Sequence, residues 1–74
     1  MTEVKYRIIE LLGVLSNTPS GWTKELNLIS WNDGEPKYDI RQWSPDHSKM
    51  GKGVSLSRDE AQELVNLLGK WLPK

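Results

Sequence analysis

Two tryptophans, Trp31 and Trp43, stand in one short stretch with four cations, Lys37, Arg41, Lys49 and Lys52. Flat aromatic rings interleaved with positive charge suit unpaired nucleic acid. Splayed bases stack on the rings, at about 1–3 kcal/mol per base, while the cations follow the phosphates. A duplex exposes no base faces, so such a surface favours single strands. Each feature also has an ordinary reading. A tryptophan in a small sheet commonly packs, and clustered cations commonly make a solvated surface. Asp39 and Arg41, two positions apart, can form a local ion pair. Aromatic and arginine enrichment marks protein-docking hot spots as well. Stacking does not separate RNA from DNA either, since only a contact to the 2′-hydroxyl does. The pattern by itself leaves these readings side by side.

Other chemistries find less support. The 74 residues include no cysteine and a single histidine. Thiolate catalysis, Cys-type zinc sites, disulfide frames and paired catalytic imidazoles are excluded. His47, in Ser44-Pro45-Asp46-His47-Ser48, has Asp and Ser neighbours, but adjacent residues of one loop do not adopt triad geometry. Gly51-Lys52-Gly53 lacks the leading glycine and the trailing Ser or Thr of a phosphate-binding loop. Asp33, Glu35, Asp39 and Asp46 are too dispersed for a metal site. No catalytic residue, metal ligand or cofactor is assigned, and an enzyme is not expected. Length points to one domain, residues 1–74, with too little core for a deep catalytic cleft.

Formal net charge is zero. Charge is mildly segregated: residues 36–53 carry a net +2, residues 1–35 a net −2, and residues 57–74 balance. The longest nearly apolar stretch, Ile8 to Leu15, is interrupted by Glu10 and too short to span a bilayer. The first residues lack a signal-peptide pattern, so a cytoplasmic protein without membrane contact is expected.

The elements that must position the aromatic and basic residues follow from periodicity. Residues 4–16 fit two periods. Ile8, Leu11, Leu12 and Leu15 make a helical stripe, while Val4, Tyr6, Ile8, Leu12 and Val14 alternate as in a strand. The β-branched and aromatic content favours a strand. Residues 22–31 read as a second strand, with Leu26 and Leu28 on one face and Asn27, Ile29 and Trp31 on the other. Residues 37–43 form a third, joined to the second as an antiparallel hairpin. Tyr38 and Ile40 share one face; Lys37, Asp39, Arg41 and Trp43 share the opposite one, which is not expected to be a core face. Residues 52–56 form a short fourth strand with Val54 and Leu56 inward. Ser57 and Glu60 then form a capping box. Ala61, Leu64, Val65, Leu68, Trp71 and Leu72 recur at helical spacing as one packing stripe. The fold class is α+β, four antiparallel strands followed by one helix. One helix covers one face of such a sheet, and the other must meet solvent, a ligand or a partner.

Asp39-Ile40-Arg41-Gln42-Trp43, followed by Pro45 and then Lys49-Met50-Gly51-Lys52-Gly53-Val54-Ser55-Leu56 leading into a helix, resembles the transcriptional coactivator family of positive cofactor four. The bacterial YdbC-like branch is the closer likeness. There the similarity also takes in Trp22, Lys24 to Asn27, Ser30-Trp31-Asn32, and Glu35-Pro36-Lys37-Tyr38. The resemblance implies a homodimer of curved sheets, each backed by its helix, with the helices at the interface; the broad apolar stripe of Leu64, Leu68 and Trp71 on so small a chain independently points to a dimer. It implies sequence-tolerant binding of single-stranded DNA across the open sheet faces. By position it implies that Arg41 and Trp43 belong to the binding strand, that Trp31 is the stacking aromatic of the second strand, and that Lys49 and Lys52 flank the fourth. Lys24, Asn27 and Lys37 complete the candidate set. The serine-rich basic tail of the eukaryotic coactivators has no counterpart here, so phosphorylation control and activator bridging do not carry over. A protein partner in the transcription or replication machinery stays open.

Overall fold

The computed structural model describes residues 5–73. The chain runs β1 (Tyr6–Asn17), β2 (Thr23–Trp31), β3 (Lys37–Trp43), β4 (Met50–Leu56) and α1 (Arg58–Trp71). The strands form one antiparallel sheet in chain order. This is the strand and helix order that the sequence leads one to expect, with β4 starting two residues early. Val4, assigned above to the first strand, lies outside the described residues.

The register of β1 explains why its sequence fits two periods. Tyr6 pairs with Trp31 and Ile8 with Ile29; after one register shift Leu11 meets Asn27, after a second Val14 meets Glu25 and after a third Asn17 meets Thr23. The odd-numbered residues of β2 share one face, so their β1 partners share it too. The spacing on β1 therefore lengthens from two residues to three. A three-residue spacing imitates a helical stripe, although the backbone is extended throughout. Each shift adds an unpaired residue and bends the strand.

The same register sorts the rest of the sheet. Glu25 lies opposite Arg41, Asn27 opposite Asp39, Ile29 opposite Lys37 and Thr23 opposite Trp43. Ser55 and Gly53 of β4 continue this face beside Asp39 and Arg41. Leu26, Leu28, Tyr38, Ile40, Val54 and Leu56 occupy the other face.

Most of the buried residues lie on the face that the sequence led us to expect open; Ser30 on the other face is an exception. Ile29, Trp43 and Asp39 are 0% exposed and Asn27 1%. Curvature is the reason. The rings of Tyr6 and Trp43 have centroids 5.8 Å apart, yet Tyr6 pairs with Trp31 and Trp43 with Thr23, at opposite ends of β2. In a straight strand those positions are roughly 26 Å apart. The sheet therefore curls, with the mixed polar and aromatic face inside.

Helix α1 begins as expected. Ser57 Oγ accepts from the Glu60 amide at 3.1 Å, and Glu60 returns a carboxylate to the Ser57 amide at 2.8 Å. The Ser57 amide first, and then the Ser57 side chain, hold the Glu60 carboxyl below its ordinary value. The helix leans on β3 and β4. A cavity of about 560 Å³ opens between helix and sheet, lined by Leu15, Leu26, Ile40, Leu64, Val65 and Leu68 among others. Only the helix stripe's inner edge, Ala61 and Leu64, is half-buried; Leu68 is exposed and Trp71 is 73% exposed. Trp71 therefore does not pack against the rest of its own chain. Among the described residues no helix is long and apolar enough to cross a membrane.

Candidate nucleic-acid interface

The inner face of the curl is organised around one carboxylate. Asp39, fully buried, accepts from Arg41 Nε at 2.7 Å, Arg41 Nη2 at 3.0 Å and Ser55 Oγ at 2.9 Å. The fork geometry of a guanidinium on a carboxylate fixes the orientation of both groups. Arg41 Nη1 donates to the Gly51 carbonyl at 3.3 Å and lies 3.7 Å from Met50 Sδ. The guanidinium thus spans β3 and β4. Gly53 makes this approach possible: a Cβ there would sit 2.0 Å from Arg41 Cβ and 2.5 Å from the Ile40 carbonyl oxygen. The Gly51-Lys52-Gly53 run is therefore a close-packing device on β4.

The aromatic cluster lies against this pair. Arg41 Cζ is 4.9 Å from the centre of the Trp31 ring, a cation–π contact worth about 0.5–2 kcal/mol. Tyr6 tilts against Trp31 with centroids 5.7 Å apart. Tyr6 thereby touches both Trp31 and Trp43. A hollow of about 670 Å³ opens beside Trp31, lined by Glu35, Lys37, Arg41, Met50 and Ser55. Neither indole N–H, of Trp31 or of Trp43, finds an acceptor among the described residues.

A second polar group sits further along the same face. Glu25 Oε1 accepts from Asn27 Nδ2 at 3.3 Å, and Oε2 is bonded by Thr23 Oγ1 and lies 2.8 Å from His47 Nε2. Burial raises the Glu25 carboxyl, but the hydrogen bonds from Thr23, Asn27 and His47 outweigh it and hold the group below its ordinary value. His47 comes from the loop between β3 and β4, where Asp46 accepts from the Ser48 amide and from the hydroxyls of Ser44 and Ser48. Those contacts, Ser48 first, lower the Asp46 carboxyl to about 2.

The candidate residues therefore divide. Trp31 is half-buried and borders the hollow, with exposed Lys37 beside it. Lys49 and Lys52 are exposed at the start of β4. Arg41 is gathered in, its side chain 16% exposed and its charge matched by Asp39. Three of the candidates are placed differently. Trp43 offers no free ring face in this conformation, because Tyr6 and His47 flank it inside the curl. Asn27 is buried and its amide donates to Glu25. Lys24 pairs with Gln42 at an even-numbered position of β2, which puts it on the opposite face from Trp31. Tyr6, Glu25, His47 and Ser55 were not singled out as site residues. Tyr6 alone had a usable signal, an aromatic in phase with the first strand, but only the register against β2 reveals its neighbours.

The chain matches the model of the family described as Transcriptional Coactivator p15 (PC4) over residues 18–67, which span β2 to β4 and most of α1. It belongs to that family. It is also 54% identical over 63 residues to an uncharacterized protein of Treponema pallidum (strain Nichols), covering 85% of this chain and 74% of that relative. The PC4 family is nucleic-acid-binding and non-enzymatic, and it suggests single-stranded DNA as a partner and coactivator-like roles. Within the span that matches the PC4 family lie Trp31, Lys37, Asp39, Arg41, Trp43, Lys49 and Lys52. Tyr6 and all of β1 precede it.

Proposed function

We propose that this protein is a non-enzymatic, cytoplasmic homodimer that binds single-stranded DNA with little regard to sequence, in transcription, replication or repair. The observation that carries this reading is the hollow beside Trp31. An aromatic ring, steadied from one side by Arg41 and from another by Tyr6, borders open space next to an exposed lysine. An unpaired base stacks on Trp31 there. Lys37, Lys49 and Lys52 meet phosphates along the rim. Asp39 neutralises Arg41 and holds it in place, so Arg41 acts mainly by orienting Trp31. The near-contiguous resemblance to the YdbC-like branch supports the same reading.

Tryptophan fluorescence tests it, with single-stranded and duplex DNA of matched length titrated at low and moderate salt. The single strand is expected to quench emission, and the duplex to do so weakly. The logarithm of affinity should fall with the logarithm of salt, by about 0.7 per phosphate neutralised. Trp31→Ala should weaken binding roughly tenfold while the protein stays folded. Equal quenching by RNA would widen the ligand class. No response to any nucleic acid would sink the proposal and favour a protein-docking face.

A further inference from the structure

The loop between β3 and β4 holds its histidine in an uncommon way. His47 has φ of 60°, a left-handed conformation that a residue with a side chain seldom adopts. Three hydrogen bonds from Ser44 and Ser48 to Asp46 stabilise the turn around it. The conformation delivers the imidazole to two places at once. Nε2 reaches the Glu25 carboxylate at 2.8 Å, and the ring lies on Trp43 with centroids 5.6 Å apart and planes 25° from parallel. A flat nitrogen heterocycle stacked on an indole is the arrangement that an unpaired base would take. Trp43 beneath it is 0% exposed, and its N–H has no partner among the described residues.

We propose that His47 is a built-in cover over a second base-stacking site, its imidazole occupying the face of Trp43 until an unpaired nucleobase displaces it. The inference rests on the single-strand reading above. His47 is suited to the task because it is tethered by the loop and by Glu25 alone. Its side chain is 41% exposed, so it can swing outward without passing through packed residues. When it leaves, Glu25 keeps Thr23 and Asn27, and Trp43 exchanges one stacked ring for another. The exchange is close to balanced, and the tether to Glu25 sets its threshold. A strand engages Trp43 only when it extends from the hollow at Trp31 to the loop. Lys49, two residues beyond His47, is exposed.

His47→Gly is the variant of choice, since glycine adopts positive φ freely and the turn is preserved. Removing the cover should raise affinity for a thymidine oligonucleotide about five- to tenfold, within what one stacked base contributes. Adding Trp43→Leu should abolish that gain. Unchanged or weaker binding by His47→Gly, with normal binding by the wild type, overturns the cover and leaves the single-strand reading intact. Absence of binding by the wild type overturns both. A measurement on the wild type guards against misfolded variants. With 5-fluorotryptophan incorporated and the Trp43 signal assigned through Trp43→Phe, saturating oligonucleotide should shift the Trp43 fluorine resonance. A Trp43 resonance that stays fixed while that of Trp31 moves overturns the proposal.

Discussion

The guanidinium of Arg41 lies 4.9 Å from the centre of the Trp31 ring, and the group that holds it there is the buried carboxylate of Asp39. The two observations together make Asp39 the anchor of the face. Its three hydrogen bonds tie β3 to β4 through Ser55 and stiffen Arg41 against Trp31. Asp39→Ala should therefore destabilise the protein by about 3–5 kcal/mol, the usual cost of leaving one partner of a buried ion pair uncompensated. Urea denaturation checks this. A loss below about 1 kcal/mol would mean that the pair behaves as an exposed one.

The two tryptophans of the inner face should separate in a stability experiment. Trp43 is wholly buried inside the curl, so Trp43→Ala should cost about 3–5 kcal/mol through lost burial and the cavity left behind. Trp31 borders open space, so Trp31→Ala should shift the denaturation midpoint less and affect binding more. Equal destabilisation by both substitutions would make Trp31 a core residue and remove it from the interface.

That division marks how far the sequence could be read. Strand alternation and the Ser57–Glu60 capping box identify β2, β3 and α1 because both are local signals. The buried status of Asp39 and Trp43 was not legible. Residue types on one strand say which side chains share a face, but not whether that face curls inward. The curl follows three bulges on β1; Gly13, a residue that can mark a bulge, adjoins one of them, and nothing announces the other two. Those bulges are also what made β1 resemble a helix. The lysines were legible as exposed cations; Lys24 entered the candidate set without a face, and its even number in β2 puts it opposite Trp31.

Acid should destabilise the fold in a defined window. The Glu25 carboxyl, held below 4.5, and the Asp46 carboxyl, lowered from 3.8 to about 2, both have folded values beneath their unfolded ones. Such groups contribute stability above the unfolded value and lose it as pH falls through the folded value. Denaturation midpoints should decline as pH drops past about 4.5 and continue to decline toward 2. Asp46→Asn should remove the lower part of that decline, and Glu25→Gln the upper part. A midpoint that does not change between pH 5 and 2.5 would contradict the assignment.

The apolar side of the molecule yields the last prediction. Leu15, Val65, Trp71 and Leu72 are each more than half exposed, with Leu68 at 45%. A chain of 74 residues has little core to spare, since folding at this size buries only roughly 60–65% of the chain's surface. An apolar stripe of this extent on so small a protein marks an interaction surface. A second copy supplies the same stripe, and two-fold pairing through α1 would bury Leu68 and Trp71 on both sides at once. The protein is therefore expected to scatter light as a species of twice 8.5 kDa at micromolar concentration. Leu68→Glu and Trp71→Glu should each shift it toward the monomer, since a carboxylate in an apolar interface is strongly disfavoured. A stable 8.5 kDa species in the unmodified protein would reject the dimer. It would also leave the cavity under α1 to be closed by the helix settling onto Leu26 and Ile40.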